Sequence, residues 1–357
     1  MALPRTVSFV KCLVSALVLC FSLKTLGFCG QWSKQPEGRI HRRAWFEVTK
    51  GPELELSEAN QGRVLPIFPS PSVLWPGAHV QFAVIEPGHR KLYEDLLMSG
   101  ARRVLAPLVD VPISGRPGGR PSRYRLHSMA ALLNLEDLIE ATEQTDGLVK
   151  YVAKHRVVGR AKIQRLLNPS ALFDLNEKQE KTQYLRAEAE ILPEDDPTLP
   201  LQEGTAEALA DAWNTLRSLS EQLAEPSFEA GFGDSATLLR CPAWRLAESW
   251  YRLRTKVQAH RERARVGTAV NAWLKAEKKK GNGLAAAEAL QQMPPQLLEV
   301  VTRLNSPSGP KFEAQFFEPF LRLLGANRET RDQRLVDMAK EEVNGARARV
   351  SIRELLD

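Results

Sequence analysis

Along this chain the apolar positions change period once. Residues 184–191 place Leu185, Ala187, Ala189 and Ile191 on one side and Arg186, Glu188 and Glu190 on the other, the period of a half-buried strand. Residues 156–163 do the same, with Val157, Gly159, Ala161 and Ile163 set against Arg156, Val158, Arg160 and Lys162. Further strands are expected over 148–153, opened by the turn pair Asp146-Gly147, over 79–85 and over 102–109. Two helices are expected among them: 90–98, ended by Gly100, and a short one over 135–145.

After Pro193 the pattern changes. The stretch 193–204 (PEDDPTLPLQEG) is rich in proline and acid and reads as a boundary. Beyond it the spacing is helical. Leu209, Trp213, Leu216, Ser220 and Leu223 mark one face. Pro242 starts a second helix that carries Trp244, Ala247, Trp250, Tyr251 and Val257 and runs on to the lysines at 278–280, where Gly281-Asn282-Gly283 stops it. Pro294-Pro295 opens another, through about Leu304. Phe312, Phe316, Phe317, Phe320 and Leu323 give the next an aromatic face, and a polar helix is expected over 329–343. No internal repeat is seen. The pattern predicts an α+β chain: a linker at 51–63, a mostly β domain at 64–195 and a helical region at 205–350.

Length and composition agree. A chain of 357 residues suits about two domains. With 43% hydrophobic and 26% charged residues, wholesale disorder, collagen and coiled coil drop out. The formal charge of +6 misleads until it is located. Residues 1–50 hold eight Lys/Arg and two acids, the entire excess, so the body is neutral. The basic balance is therefore no sign that the folded part binds nucleic acid or an anionic membrane.

The N-terminus carries an address. Arg5 and Lys11 precede the uncharged run 12–23 (CLVSALVLCFSL), too short to span a bilayer and matched to the apolar core of a secretory signal. Thr25 and Gly27 suit the positions before a cleavage site, which makes 1–27 a signal peptide. Residues 28–50 are rich in bases and poor in acids, as transit peptides are. A signal followed by Phe28 and a basic segment resembles the two-part presequence of algae whose plastid came from a red alga. Plastid delivery is the expectation, with simple secretion as its alternative. Three of the four cysteines (Cys12, Cys20 and Cys29) lie in this region, which leaves Cys241 in the body and no intramolecular disulfide there. No membrane-spanning segment is expected in the mature body.

The search for chemistry is mostly negative. No phosphate-cradling P-loop, GxGxxG turn, HExxH, paired CxxC or GxSxG elbow occurs. The six histidines are scattered, and His155 reads as structural. The loop 115–121 (GRPGGRP) has the composition of an anion cradle, but suits a hairpin connection better. Polar residues 177–181 read as solvated surface, the lysines at 278–280 as a helix end, and Trp213, Trp244 and Trp250 as core. No enzyme activity, metal or cofactor is implied.

The β part resembles the N-terminal, substrate-binding domain of Lon proteases. The likeness rests on Leu65-Pro66-Ile67-Phe68-Pro69, Val73-Leu74-Trp75-Pro76-Gly77, and Ile85-Glu86-Pro87 followed by Leu92-Tyr93. Asp146-Gly147, Gly159-Arg160 with Ile163, and Tyr184-Leu185 with Ala187-Glu188 follow in the family's order. It covers roughly 64–195. The chain departs at Gly88-His89, where the family commonly has Arg-Tyr, and it lacks the ATPase and peptidase modules of full Lon proteases. The resemblance implies a PUA-like, mostly antiparallel β pseudo-barrel with a helix across it. It also implies a stand-alone, non-enzymatic adaptor that recognises unfolded or client polypeptides and serves plastid protein quality control, alone or with a protease complex. Trp75, Pro76, Glu86 and His89 are the expected polypeptide-binding residues. The alternative is a plastid RNA-binding or ribosome-associated protein using the bases at 252–280, which a neutral body disfavours. The oligomeric state is not legible.

Overall fold

In the computed structural model, the described residues are 44–49, 52–54, 63–110, 123–173, 183–193, 196–227, 233–280, 291–305 and 312–356. The signal segment 1–27, most of 28–50, most of the linker, the loop 115–121, the excursion 177–181 and the glycines at 281–283 lie outside them.

The period-two segments form one antiparallel sheet. Its strands are β1 (Trp45–Val48), β2 (Arg63–Pro66), β3 (His79–Val84), β4 (Arg103–Asp110), β5 (Tyr124–Glu140), β6 (Tyr151–Leu166) and β7 (Arg186–Ile191). One helix, α1 (Pro87–Ser99), crosses between β3 and β4. It ends where Gly100, at φ 69°, takes the left-handed backbone that a Cβ disfavours. The two segments read as separate strands at 148–153 and 156–163 are one strand, β6. The expected helix over 135–145 is instead the far half of β5. Leu138, Ile139 and Glu140 pair with Ala153, Val152 and Tyr151, so sheet pairing overrides a local pattern open to both readings. Only Glu143–Thr145 is helical there, as a single 3₁₀ turn. β1 falls inside the segment read as a transit peptide. Its Trp45–Val48 pair with His127–Tyr124 of β5.

The sheet closes on itself. β5 pairs with β4 and β6, β6 with β7, and β7 with β2. Beyond β2 the chain continues beside β4 in parallel. Phe68 N–H donates to Leu105 O at 2.8 Å, Ser70 N–H to Pro107 O at 2.9 Å, and Val109 N–H to Ser70 O at 2.8 Å. β4, β5, β6, β7 and β2 with its continuation through Ser70 thus form a ring, the near-closure that limits exposed edges. Its interior is filled by Ile67, Leu105, Leu126, Leu132, Ile163 and Leu185. α1 buries Leu92, Tyr93 and Leu96 against the outside, on Val104, Ala106, Leu133 and Val157.

The helical part comprises α2 (Glu203–Leu223), α3 (Ser235–Leu238), α4 (Ala243–Lys279), α5 (Pro295–Leu304), α6 (Ala314–Leu324) and α7 (Arg328–Leu356). The last is longer than the expected 329–343. The helices share one core with the sheet: Val73, Trp75 and Leu108 pack with Trp213, Trp244, Trp250 and Phe320. This explains two residues the alternation placed toward solvent. Arg160 is 6% exposed and Glu188 2%, because neighbouring structure covers the sheet face they occupy.

Arg160 joins the two parts. Its Nη1 donates to Leu324 O at 2.8 Å and to Ala326 O at 2.6 Å, satisfying carbonyls at the end of α6. Its Nη2 donates to Pro193 O at 3.1 Å. Arg160 and Arg331 lie over the Trp244 ring, 5.2 and 4.6 Å from its centre. Arg160→Met should therefore cost about 3 kcal/mol, as buried carbonyls lose a charged donor. Urea unfolding would measure it, and a loss below about 1 kcal/mol would mean those carbonyls find other donors.

Candidate functional site

The four residues expected to contact polypeptide separate into two pairs. Trp75 and Pro76 are buried, Trp75 at 2% exposure. The Trp75 ring lies 6.1 Å from Trp244, 6.0 Å from Tyr251 and 6.2 Å from Phe320. Gly77, at φ +86°, turns the chain back so that Ala78 N–H donates to Trp75 O at 3.0 Å. This turn is a peg from the barrel into the helical layer. Their assignment to a binding surface is corrected: neither residue can touch a client in the folded protein.

Glu86 and His89 remain at the surface. Glu86 is the residue before α1, with extended backbone at ψ 140°, and Pro87 opens the helix, where a missing N–H costs least. One turn on, His89 Nδ1 lies 3.2 Å from Glu86 Oε2. Burial pulls the His89 pKa down, against the attraction of the Glu86 carboxylate. The imidazole sits on the ring of Phe68 at 4.3 Å between centres, and Phe68 stacks on Phe82 at 4.5 Å. Gly88 lets the turn approach this closely, since a Cβ there would meet Gln183 O at 2.8 Å. A residue larger than glycine at position 88 would force that contact to shift.

Beneath this turn lies a buried polar pair that sequence reading missed as a unit. Tyr93 Oη and His155 Nε2 are 3.2 Å apart, with both residues fully buried. Burial raises the Tyr93 pKa well above its ordinary value and lowers that of His155 to about 4. The imidazole is therefore neutral at physiological pH, and the pair is a hydrogen bond without net charge. The signal was present in part: Val80, Phe82 and Val84 alternate inward, and the register sets His155 opposite Val80. Only α1 folding back brings Tyr93 to it.

The strand beside this turn is an open edge of the sheet, as is β1, which pairs only with β5. β3 pairs with β6 along its whole length, from His79 with Arg156 to Val84 with Tyr151. Among the described residues no strand pairs with its other edge. Its outward side chains are His79, Gln81 and Ala83, followed by Ile85 at 45% exposure. His79 Nδ1 reaches Glu136 Oε2 at 3.1 Å. Edge strands commonly carry Lys or Pro against unwanted pairing. HVQFAV has neither. Among the described residues no group of three or more His, Cys, Asp or Glu side chains is placed to hold a metal ion.

No family model matches the chain, and no curated protein matches it. Solved structures do. A Lon N-terminal domain protein from Xanthomonas campestris is similar over 54% of this chain and 89% of its own, at 20% identity and a TM-score of 0.30. The N-terminal domain of the Mycobacterium avium complex Lon protease is similar over 78% of this chain and 98% of its own, at 11% identity and a TM-score of 0.32.

The His155 environment predicts a pH effect. Its folded pKa, about 4, lies below the unfolded value near 6.5. Between those values the unfolded chain binds the extra proton, so stability is complete above about pH 6.5 and falls as pH drops toward 4. The loss approaches about 3 kcal/mol. His155→Phe should lack this component. Urea unfolding of both proteins at pH 7.5 and pH 5 would reveal it as a difference that changes with pH, and a constant difference would refute it.

Proposed function

We propose that this chain is a non-enzymatic polypeptide-binding protein that takes an extended client segment as an added strand on β3, beside the Glu86–His89 turn. One observation carries the reading: β3 is a strand of six residues without Lys, Arg, Asp or Glu, and among the described residues one of its edges is unpaired beside the Glu86–His89 turn. Such an edge offers backbone N–H and C=O groups, which recognise any extended peptide regardless of sequence. Side-chain preference would come from Ala83, Ile85 and the ring of His89 over Phe68. The ordered motif resemblance to the Lon substrate-binding domain supports the same class of ligand.

The RNA reading has less to stand on. Of the ten Lys/Arg between 252 and 280, five are tied to carboxylates: Arg252 to Glu248, Arg254 to Glu342, Arg261 to Glu225, Arg265 to Glu262 and Lys280 to Glu277. Phosphate neutralisation needs cations not already paired.

The address segment extends the proposal to a plastid. For β1 to survive processing, cleavage must fall before Trp45 rather than at Lys50. A fluorescent protein fused behind residues 1–44, expressed in an alga with a red-derived plastid, should enter that organelle; secretion of the fusion would refute it.

The binding proposal is tested with a reduced, carboxymethylated polypeptide that stays unfolded, followed by fluorescence anisotropy. Ala83→Lys places a charge on the exposed side of the edge strand. It should leave the circular dichroism unchanged and weaken binding about fivefold, roughly 1 kcal/mol. Full affinity in the folded variant would remove the β3 edge from the proposal. Absence of polypeptide binding together with salt-dependent RNA binding would replace it by the alternative.

A further inference from the structure

The N-terminal strand β1 is attached to the body as a ligand would be. It pairs with β5 and, among the described residues, with no other strand. Four residues carry the pairing: Trp45 opposite His127, Phe46 opposite Leu126, Glu47 opposite Arg125 and Val48 opposite Tyr124. Ser128 N–H adds a bond to Ala44 O at 2.7 Å. β5 has its own pairing with β4 and β6, which does not involve them. Alternate side chains of β1 go to opposite faces. Phe46 and Val48 enter the barrel interior beside Leu126, and only Val48 of the four is fully buried. Trp45 and Glu47 face the other way, and Glu47 is exposed.

Trp45 occupies a formed socket between the two parts of the protein. Its indole Nε1–H donates to Glu318 Oε1 of α6 at 2.6 Å. The ring packs across His127, 80° between planes and 5.0 Å between centres, and the Arg125 guanidinium lies 4.9 Å from the indole centre. Both of these groups are held from behind. Arg125 Nη1 donates to Asp110 Oδ2 at 3.2 Å, and His127 Nδ1 accepts from Met129 N–H at 3.0 Å. The socket is therefore built by β4, β5 and α6, and β1 contributes only what fills it. The chain beyond β1 is held at two more points. Leu54 N–H donates to Leu167 O at 2.7 Å, and Arg186 Nη2 of β7 donates to Glu53 Oε1 at 2.5 Å.

We propose that the edge of β5 at residues 124–128, with the socket of Arg125, His127 and Glu318, is a strand-acceptor site, and that the arm of residues 44–54 is its resident, exchangeable ligand. The ligand class follows from the contacts: an extended segment with a tryptophan, apolar side chains one and three positions after it, and a polar residue between those two. Backbone pairing supplies affinity, and the alternating pockets supply choice. N-terminal processing decides occupancy. The segment with the composition of a transit peptide ends at Lys50. Cleavage before Trp45 leaves the site filled, and cleavage at Lys50 empties it. This inference is independent of polypeptide binding at β3.

The test uses the full chain with a specific protease site inserted between residues 55 and 62, so that the arm is cut from the body after folding. The probe is a fluorescent peptide with the sequence of residues 44–54, followed by anisotropy. The cut protein should keep the circular dichroism of the body and exchange its arm for the probe in a saturable way. The uncut protein should bind the probe about tenfold more weakly or worse, because a tethered arm competes at a high effective concentration. A probe carrying Trp45→Ala should bind the cut protein about tenfold more weakly, a change of about 1.4 kcal/mol. Glu318→Ala in the protein should weaken the unaltered probe severalfold. If that variant fails to fold, Glu318→Gln keeps an acceptor but loses the charge and should weaken the probe measurably. Loss of the cooperative unfolding transition when the arm leaves would overturn the proposal, since β1 would then be framework. So would absence of exchange, equal binding to cut and uncut protein, or full affinity of the Trp45→Ala probe.

Discussion

The architecture depends on covering the sheet from both sides. Arg160 expresses that constraint most directly. A guanidinium 6% exposed is tolerable only where its donors are met, and here they are met by Leu324 O, Ala326 O and Pro193 O. Leu324 O is available because α6 ends there and leaves its last carbonyls without intrahelical partners; Ala326 O lies just beyond the helix end and Pro193 O just after β7. Each part supplies what the other lacks: the strand a donor, the helix end acceptors. The Trp75 peg acts in the same direction. It inserts into the helical core and converts two segments of different periodicity into one hydrophobic body.

That joint core fixes which surfaces stay open. The barrel closes through the parallel pairing of residues 67–70 with β4. The outer face of the ring is divided between α1 and the helical part. β3 belongs to neither arrangement. It is attached to β6 only, and its inward residues Val80, Phe82 and Val84 pack with α1 while its outer edge remains unpaired. The openness of β3 therefore follows from topology.

Much of this was legible, and the misreadings share a cause. Local signals held: Gly100 ends α1, Asp146-Gly147 turns the chain with φ of 51° and 78°, and Pro242 begins the long helix. Alternation located β6 and β7 but assigned Arg160 and Glu188 to solvent. A period of two separates the faces of a strand; it does not say that the second face is uncovered. The reading of 135–145 as helix failed because cross-strand partners decide a segment whose own pattern fits both states. Trp75 and Pro76 failed as site residues for the converse reason. An aromatic-Pro-Gly turn suits an exposed contact, and only the helical half of the chain reveals what the ring packs against. Glu86 and His89 were legible as a turn at a helix start, but the stack of His89 on Phe68 and Phe82 was not, since it joins three separate segments.

Charge shows the same dependence on partners. The long helix α4 reads as a basic stripe, yet acids on α4 itself, on α7 and after α2 neutralise half of it. A surface pair of this kind contributes little, because water screens it and two long side chains must be held. Where α4, α7 and the chain after α2 meet, the balance is different. Glu225 and Glu342 have left water almost entirely, so each must be compensated by donors, and three arginines converge on the two of them. Burial of two carboxylates thus explains why cations gather there. The paired charges along the rest of the helix, by contrast, are a solvated face.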